Sequence, residues 1–375
     1  MSQSTTLEPL PTANQIRADM SAETRQRTVT QALLAMTPTV LLYLASVWAV
    51  IVAPIWAWPV LVPLCGLIMS IMFVIAHDAA HDSLTQYPWL NGLIGRILFI
   101  PAGHNFSGWV HAHNHVHHGW TNFQPRDYVW CPLSLDQYRQ RSKLGQWWVR
   151  FGRWWPAFGV YYAIDILWGR IIRIQDDVKQ AKARRRWHLD NVVLLVGIIA
   201  QGAATLAVAR AWSVETSPVL LIIGAQFLPF FVCQWLVGFL TYLHHTHPSI
   251  PWFQDMNQWT FYMGQICGTT HVQFPGKVNR WIHNIMEHNA HHVDPKIPLY
   301  HLPEAQQQIE DHHAPVVTAF GRRSFLYIQR VCQLYDFENH TWLSYDGRTT
   351  SSRTVSEELI RRAELSHARH QVGTA

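Results

Sequence analysis

Residues 58–81 read WPVLVPLCGLIMSIMFVIAHDAAH, an apolar stretch that runs directly into two histidines. The part before His77 contains no charged side chain and approaches the length of about 20 residues that one bilayer crossing needs. His77 and His81 are four residues apart, so they share one face if the helix continues through them. Because histidine is the commonest neutral metal ligand, this stretch predicts a membrane helix with a pair of metal ligands at its end.

Three further apolar stretches, 33–53, 191–212 and 218–243, are long enough to cross a membrane. The whole chain is 49% hydrophobic and only 14% charged, whereas soluble domains typically carry about 25% charged residues. Pro54 interrupts the first pair of spans, and the short break at 213–217 interrupts the second pair. We therefore predict an all-α integral membrane protein with four transmembrane helices in two hairpins, at about 33–53, 58–76, 191–212 and 218–243.

Basic residues predict the orientation of these spans. The stretch 139–186 is rich in arginine and lysine, whereas the two loops on the opposite side are short and nearly free of them. The positive-inside rule then places 77–190 and 244–375 in the cytoplasm, together with both termini. The same rule and anionic lipid account for the net charge of +5. We therefore expect a bilayer as partner and no nucleic acid.

Two shorter apolar segments, 89–102 and 147–169, contain charged residues. We interpret both as helices that lie in the plane of the membrane surface. The alternative is a fifth span at 154–172. A fifth span would place the last histidine cluster on the opposite side of the membrane from the first two, so we favour four spans.

The histidine clusters extend from residue 77 to residue 292, which argues for one unit assembled from distant segments. We therefore predict one membrane domain over 31–345, preceded by a flexible cytoplasmic tail over 1–30. The chain becomes polar after residue 302, and this region is expected to contribute a cytosolic cap that holds a di-metal site. Residues 346–375 are predicted to form a polar C-terminal tail.

Two further histidine clusters lie close to the spans. The second reads HAHNHVHH over 111–118, and the third reads HNAHH over 288–292. In the second cluster we favour His113, His117 and His118. The adjacent pair at the end of this set resembles the adjacent pair that ends the third cluster. His111 and His115 are then expected to form hydrogen bonds or to face water. The candidate ligands are His77, His81, His113, His117, His118, His288, His291 and His292.

Eight such ligands would fill about two metal sites. Among the other nearby histidines we favour His271 as an extra ligand, in preference to His283, His301 and the His244-His245 pair. Magnesium and calcium prefer oxygen ligands, and no cysteine accompanies the histidines as in structural zinc sites. A histidine-rich pair of metals in a membrane suits iron or copper, which activate dioxygen.

With these residues the chain resembles the membrane fatty acid desaturase superfamily of non-haem di-iron desaturases and hydroxylases. That family is known by three histidine boxes, which stand here as HDAAH (77–81), HNHVHH (113–118) and HNAHH (288–292). The flanking segments TYLHHTHP (241–248) and HNIMEHNAHHVDPKIPLYHL (283–302) are similar to those of acyl-lipid desaturases that act on oleate-like chains. The similarity covers roughly residues 35–345.

The resemblance implies a four-helix membrane anchor with a cytosolic cap, and two iron ions held mainly by the box histidines. The implied ligands are the eight candidates above, with His271 as an additional one. The implied reaction uses O2 and two external electrons to insert a cis double bond into a fatty acyl lipid, at the delta-12 position of oleoyl chains. A separate ferredoxin or cytochrome is expected as electron donor, docking on the basic surface of 139–186. We expect a bacterial inner membrane.

Two alternatives remain open at this point. A di-iron hydroxylase, ketolase or epoxidase of an alkane, carotenoid or lipid would use the same ligands and differ in how its substrate is placed. A metal transporter would also be rich in histidine, but transport requires polar groups within the spans. The four predicted spans are almost free of ionisable residues, which disfavours the transporter.

Overall fold

The computed structural model describes residues 7–372, and most of them lie in helices. The α-helices are α1 Ala13–Ala18, α2 Val29–Val52, α3 Trp58–Ala80, α4 Pro88–Phe99, α5 Phe106–Trp109, α6 Leu135–Arg139, α7 Lys143–Arg153, α8 Phe158–Tyr161, α9 Ala181–Ala211, α10 Pro218–Ile222, α11 Leu228–His245, α12 Val278–Trp281, α13 His288–Val293, α14 Leu302–His312, α15 Arg322–Val331 and α16 Glu357–Val372. π-Helices cover Val110–His117, Tyr162–Ile172, Ile223–Phe227 and Met263–Cys267, and 3-10 turns cover Ala22–Arg25, Ile55–Ala57 and Trp155–Ala157. The strands are β1 Thr270–Gln273, β2 Val316–Ala319, β3 Leu334–Asp336 and β4 Thr341–Leu343.

Four helical stretches are long and apolar enough to cross a membrane. They are Val29–Val52, Ile55–Ala80, Ala181–Ala211 and Pro218–His245. Their number and positions agree with the four predicted spans. Between residues 7 and 372 there is no fifth helix of this kind, because the stretch 154–172 is divided into a 3-10 turn, α8 and a π-helix. A mostly helical chain with four candidate membrane spans is therefore confirmed, whereas the two hairpins and the cytosolic cap stay predictions.

The second span occupies the centre of the helical bundle. It is 61% buried within the protein, whereas the third span is only 17% buried and leaves most of its apolar surface for lipid. Helix α3 packs against α2, α4 and α11. Its contact with α11 is close because residue 66 is glycine, where a Cβ atom would lie 2.5 Å from the Cβ of Val232. This packing brings the histidine-bearing ends of α3 and α11 together.

The segment between the second and third spans has the composition of a membrane-surface structure. In α7 the side chains of Leu144 and Trp147 are exposed, and Trp154 follows them at the end of the helix. The basic residues Arg150 and Arg153 lie on the same short helix. Exposed leucine and tryptophan beside arginine are typical of helices that lie at a bilayer interface.

The N-terminal segment is ordered in its described part, where the sequence predicted a flexible tail. Helix α1 begins after a capping box in which Thr12 and Gln15 bond to each other's backbone. Ile16 is fully buried in a cluster with residues of α13 and α14, and the Arg25 guanidinium pairs with Asp294 at 2.6 Å. Ile16 and Met20 are four residues apart, so they form a small apolar face. The polar composition of the whole segment, on which the prediction of a flexible tail rested, does not reveal this face. Residues 1–6 lie outside the described residues.

The C-terminal segment also packs on the body of the protein. Ile360 and Ala363 of α16 are buried in one cluster with Leu10 and Phe253. The sequence predicted a polar tail over 346–375, and the described part of it includes this helix. Residues 373–375 lie outside the described residues.

The strands form two small two-stranded sheets. β1 and β2 pair in parallel with Thr270 opposite Val316, and β3 and β4 pair antiparallel with Leu334 opposite Leu343. The parallel pair fixes the segment that carries His271, which lies opposite Val317.

Candidate metal centre

Four segments bring histidines to one place. His77 lies in the last turn of α3, and His81 caps that helix. The π-helix Val110–His117 supplies the second cluster, α13 begins with His288, and α11 ends at His245. All of these histidines except the outward-facing ones of the π-helix are buried. The centre is therefore built where the ends of two membrane helices meet two short helices.

The π-helix sorts the second cluster in a way that an α-helix would not. Its hydrogen bonds join residues five apart, and the backbone N–H of His118 donates to the carbonyl of His113 at 2.9 Å. His113 and His118 therefore lie on one side, and their Nε2 atoms are 3.1 Å apart. His117 is directed toward a second group, where its Nε2 lies 3.1 Å from the Nε2 of His245.

Among the described residues, this arrangement gives two groups of histidines. In the first, five buried side chains each offer a nitrogen within 4.8 Å of all the others, and they are His77, His81, His113, His118 and His291. In the second, three buried side chains meet the same condition, and they are His117, His245 and His292. His288 lies beside the second group, because its Nε2 is 3.1 Å from the Nε2 of His245. Nine histidines thus converge, and they include all eight box histidines predicted from the sequence.

The spacing of the nitrogens fits shared metal ions. The Nε2 atoms of His77 and His113 are 2.9 Å apart, and two imidazoles bound at right angles to one ion, each at about 2.1 Å, hold their nitrogens about 3 Å apart. Among the described residues, the buried Nε2 atoms of His81, His291 and His292 have no hydrogen-bond partner. Buried polar atoms without partners are costly. A metal ion in each group would use these atoms.

Burial keeps the imidazoles in the form that binds metal. Loss of solvent contact, followed by the proximity of other histidines, lowers the pKa values of six buried histidines outside the spans. The histidines concerned are His81, His113, His118, His288, His291 and His292. A neutral imidazole has a lone pair for a metal, whereas an imidazolium has none. These rings are therefore neutral near pH 7.

Two polar side chains orient the rings of the second group. The Nδ1 of His117 donates to Asp127 at 2.9 Å, and this carboxylate also accepts from the backbone N–H groups of Asn122 and Val129. The Nδ1 of His292 donates to the Oε1 of Gln265 at 2.8 Å. A hydrogen bond at Nδ1 leaves the Nε2 lone pair directed at the metal position, which is the usual outer arrangement around a bound ion.

The first group is supported through the segment that follows α13. Asp78 lies 3.4 Å from the Nδ1 of His77, and its other oxygen accepts from the backbone N–H of Leu299 at 2.7 Å. Lys296 donates to the carbonyl of His81 at 2.8 Å. The end of α3 is therefore held to residues 296–299, which fixes the positions of His77 and His81.

The other histidines lie outside the two groups. His271, the predicted extra ligand, is held by β1, and its Nδ1 donates to Glu310 at 2.6 Å. The structure therefore does not bring His271 to either group. His111 faces Asp177 at 3.2 Å, and His115 is exposed, so both point away from the centre, which agrees with their predicted role.

His245 is the member of the centre that sequence reasoning did not select. The signal that could have identified it is its position. His245 ends the fourth span just as His77 ends the second, and both spans end on the same side of the protein. Its neighbour His244 stacks on His288 with ring centres 3.6 Å apart, so both members of the pair belong to this region.

A narrow cavity reaches the histidines from one side. Its lining contains the histidines His113, His117, His245 and His288 and the aromatic side chains Trp109, Tyr128, Trp130 and Tyr162. Trp109 stacks on His113 with ring centres 4.4 Å apart. Aromatic walls that exclude water suit an apolar chain, and the cavity, which is about 20 Å³ in this structure, would have to widen to admit one.

Comparison with known proteins agrees with this geometry. The family model for fatty acid desaturases matches residues 53–320. The sn-1 oleoyl-lipid 12-desaturase of Anabaena variabilis is 28% identical over 328 residues, which are 84% of this chain and 85% of that protein. The protein of the same name from Arthrospira platensis is 30% identical over 271 residues, 67% of this chain and 68% of that protein.

A plant relative shows the same similarity at lower identity. The chloroplastic omega-6 fatty acid desaturase of Brassica napus is 25% identical over 299 residues, which are 76% of this chain and 60% of that protein. The region that the family model matches contains three of the four candidate spans and the three histidine boxes. This chain therefore belongs to the fatty acid desaturase family, as the boxes at 77–81, 113–118 and 288–292 indicated.

Proposed function

We propose that this fatty acid desaturase inserts a cis double bond at position 12 of oleoyl chains, using O2 and two electrons from outside. The convergence of nine buried histidines, four of which line a narrow aromatic cavity, carries this proposal. The position is taken from the cyanobacterial relatives, which are named sn-1 oleoyl-lipid 12-desaturases. The hydroxylase or ketolase alternative is not favoured, because the relatives are desaturases.

The two groups of histidines are proposed to hold one iron ion each. The first ion is assigned to His77, His81, His113, His118 and His291, and the second to His117, His245, His288 and His292. The irons, when bound, supply the activation of O2 and the removal of two hydrogen atoms from adjacent methylene groups. His271 is left out of this set because Glu310 and β1 hold it elsewhere.

The protein's own part is to place and shield the acyl chain. Side chains such as Trp130 and Tyr162 line the cavity and exclude water from it. Tyr162 is fixed by a hydrogen bond of 3.0 Å to His104, whose other nitrogen bonds to the carbonyl of Ala102. A wall held in this way places one pair of carbons next to the histidines, and such positioning contributes much of the rate.

The proposed orientation follows the charge of the loops. The histidine-bearing ends of α3 and α11 lie on the cytoplasmic side, together with the basic stretch 139–186. The four spans form two hairpins, and the segments after residue 245 form a cap over the centre. Both termini are then cytoplasmic, in the inner membrane of a bacterium.

The regiochemistry is tested by the fatty acid profile of a bacterium that makes oleate but no polyunsaturated acids. Expression of this chain is expected to produce a 9,12-dienoic acid, and expression of His291→Ala at the same level is expected to produce none. Gas chromatography with double-bond derivatisation identifies the product. A hydroxy acid, or a dienoic acid with its new bond elsewhere, would contradict the proposed reaction.

A separate protein is proposed to deliver the electrons, such as a ferredoxin or a cytochrome. The exposed residues Arg139 and Arg141 precede α7, and the exposed Lys143 begins it. All three form part of the basic surface. Acidic carriers are steered by such surfaces, and the rate of association falls with ionic strength. We expect the triple change Arg139→Glu, Arg141→Glu, Lys143→Glu to slow turnover about tenfold or more at low salt. Dithionite should restore turnover, whereas an unchanged rate with ferredoxin would contradict this docking site.

A further inference from the structure

A surface recess of about 660 Å³ lies on the outer side of the π-helix Val110–His117. His111 and His115 of this helix line the recess, whereas His113 and His117 face the metal centre. One helix therefore separates the recess from the centre. Neither the family match nor the relatives assign a role to this recess.

Three arginines in the recess lack a counter-ion. They are Arg126, Arg170 and Arg173, and among the described residues no carboxylate lies within 4.0 Å of any of them. Asp176 and Asp177 also line the recess, but Asp177 faces His111 at 3.2 Å. Guanidinium groups in a recess, without carboxylate partners, are suited to a phosphate.

Aromatic rings hold two of these guanidinium groups in place. The Cζ of Arg126 lies 4.0 Å from the centre of the Trp120 ring, and the Cζ of Arg170 lies 5.2 Å from the centre of the Tyr128 ring. A stacked guanidinium loses less freedom when it binds an anion. This separates the pair from arginines that are simply solvated at the surface.

Tyr128 connects the recess with the metal centre. The same side chain lines the recess on one side and the inner aromatic cavity on the other. The inner cavity contacts His113, His117, His245 and His288. Tyr128 therefore stands between the recess and the inner cavity, and the apolar chain of a ligand with its anionic head in the recess would have to pass this side chain to reach the histidines.

The recess lies beside the beginning of the third span. His111 packs against Trp187, with ring centres 5.6 Å apart. Trp187 follows the run Arg184-Arg185-Arg186 in α9 and precedes the apolar part of the third span. Trp187 itself is buried within the protein, but the three arginines before it are exposed, and basic residues at the end of a span mark the membrane–water interface. A substrate that enters from the bilayer would present its headgroup at this level.

We propose that the recess binds the phosphate-bearing headgroup of the acyl substrate, with Arg126, Arg170 and Arg173 as its ligands. The proposal rests on the proposed function and narrows its substrate class to acyl chains carried on a phosphate ester. Such a phosphate occurs both in an anionic phospholipid and in a phosphopantetheine thioester. The uncharged headgroup of a glycosyl diacylglycerol would not use these arginines.

Equilibrium binding to the purified full-length protein tests this assignment without turnover. The probes are dioleoyl phosphatidylglycerol, oleoyl-coenzyme A and the uncharged monogalactosyl dioleoylglycerol. The test variant is Arg170→Gln/Arg173→Gln, and the matched control is Arg185→Gln/Arg186→Gln, two exposed arginines of α9 outside the recess. A charged hydrogen bond contributes about 1.5–3 kcal/mol, so each lost arginine weakens phosphate binding about tenfold or more.

The expected result is a loss of about 100-fold for at least one phosphate-bearing probe in the test variant. The control variant should change the affinity for the same probe by less than about threefold. A loss with phosphatidylglycerol identifies a lipid headgroup, and a loss with oleoyl-coenzyme A identifies a thioester carrier. Equal binding of all three probes by variant and wild type would overturn the proposal. So would slower reduction by ferredoxin with unchanged lipid binding, because that result would make the recess a donor site.

Two further measurements keep the outcome decisive. If the double variant does not fold, Arg126→Gln changes a single exposed loop residue and is expected to weaken the same probe about tenfold. The wild-type fatty acid profile is recorded separately. Arginine-dependent phosphate binding without a 9,12-dienoic product would reject the proposed reaction but keep the phosphate site. A 9,12-dienoic product without arginine-dependent binding would reject the phosphate site but keep the proposed reaction.

Discussion

Replacement of His245 by alanine is expected to reduce desaturation by more than about 100-fold, which exceeds the 10- to 100-fold loss typical of an outer partner. The reason is geometric. The Nε2 of His245 lies 3.1 Å from the Nε2 atoms of both His117 and His288, so it joins these two rings in the second group. Without it, only His117, His288 and His292 remain of the four proposed ligands of the second ion. The measurement is conversion of oleoyl chains by membranes that contain equal amounts of wild type and variant.

The matched control is His271→Ala, because His271 is a histidine of similar burial outside both groups. Its loss removes the bond to Glu310, and a typical single substitution costs about 1 kcal/mol of stability. Activity should therefore stay within about tenfold of wild type. Equal loss in both variants would show that His271 contributes as much as His245, and would contradict the assignment of ligands.

Replacement of Asp127 by asparagine is expected to weaken iron binding by about 10- to 100-fold. The Asp127 carboxylate is fully buried and accepts a hydrogen bond from the Nδ1–H group of His117. It also fixes the loop by accepting from two backbone N–H groups. An amide can present its N–H₂ group to His117, and the ring then turns or changes tautomer, so that Nε2 no longer offers its lone pair.

Iron retention against a graded series of chelator concentrations measures this effect directly. Asp136→Asn, a change of an exposed carboxylate in α6, serves as control and should retain iron as wild type does. Asp127→Glu keeps the charge and should recover part of the affinity. If Asp127→Asn held iron as firmly as wild type, the carboxylate would not orient a ligand.

Hydropathy and charge were enough to predict the membrane scaffold. The four spans were recognisable because each is a long apolar run, and helices in lipid must satisfy their own backbone. The spacing of His77 and His81 also predicted a shared face correctly, because α3 continues to residue 80. These are local properties of the sequence, and local rules describe them well.

The division of ligands between two groups was not accessible in the same way. His113 and His117 are four residues apart. In an α-helix both side chains would lie on one face and could bind the same ion. The π-helix instead pairs His113 with His118 and releases His117 to the other group. Its wider turn depends on how the segment packs between α5 and the centre, and no residue pattern in HAHNHVHH indicates it.

Contacts between distant segments account for the remaining differences. His271 follows the fourth span and is close to the third box in sequence, but pairing of β1 with β2 directs its side chain to Glu310. His245 reaches the centre because Gly66 allows α11 to approach α3. The N-terminal segment packs on α13 through Ile16. Each of these three placements depends on a contact with residues more than 100 positions away in the sequence, or on a small sheet that hydrophobic periodicity does not reveal.

The central claim is that two histidine groups hold two iron ions, and the iron content of the purified chain tests it most directly. Elemental analysis of protein expressed in iron-supplemented cells should give two irons per chain for wild type. His245→Ala should retain one, because the first group is intact. A wild type that binds a single iron, or a His245→Ala variant that keeps both, would contradict the two-group arrangement on which the proposed function depends.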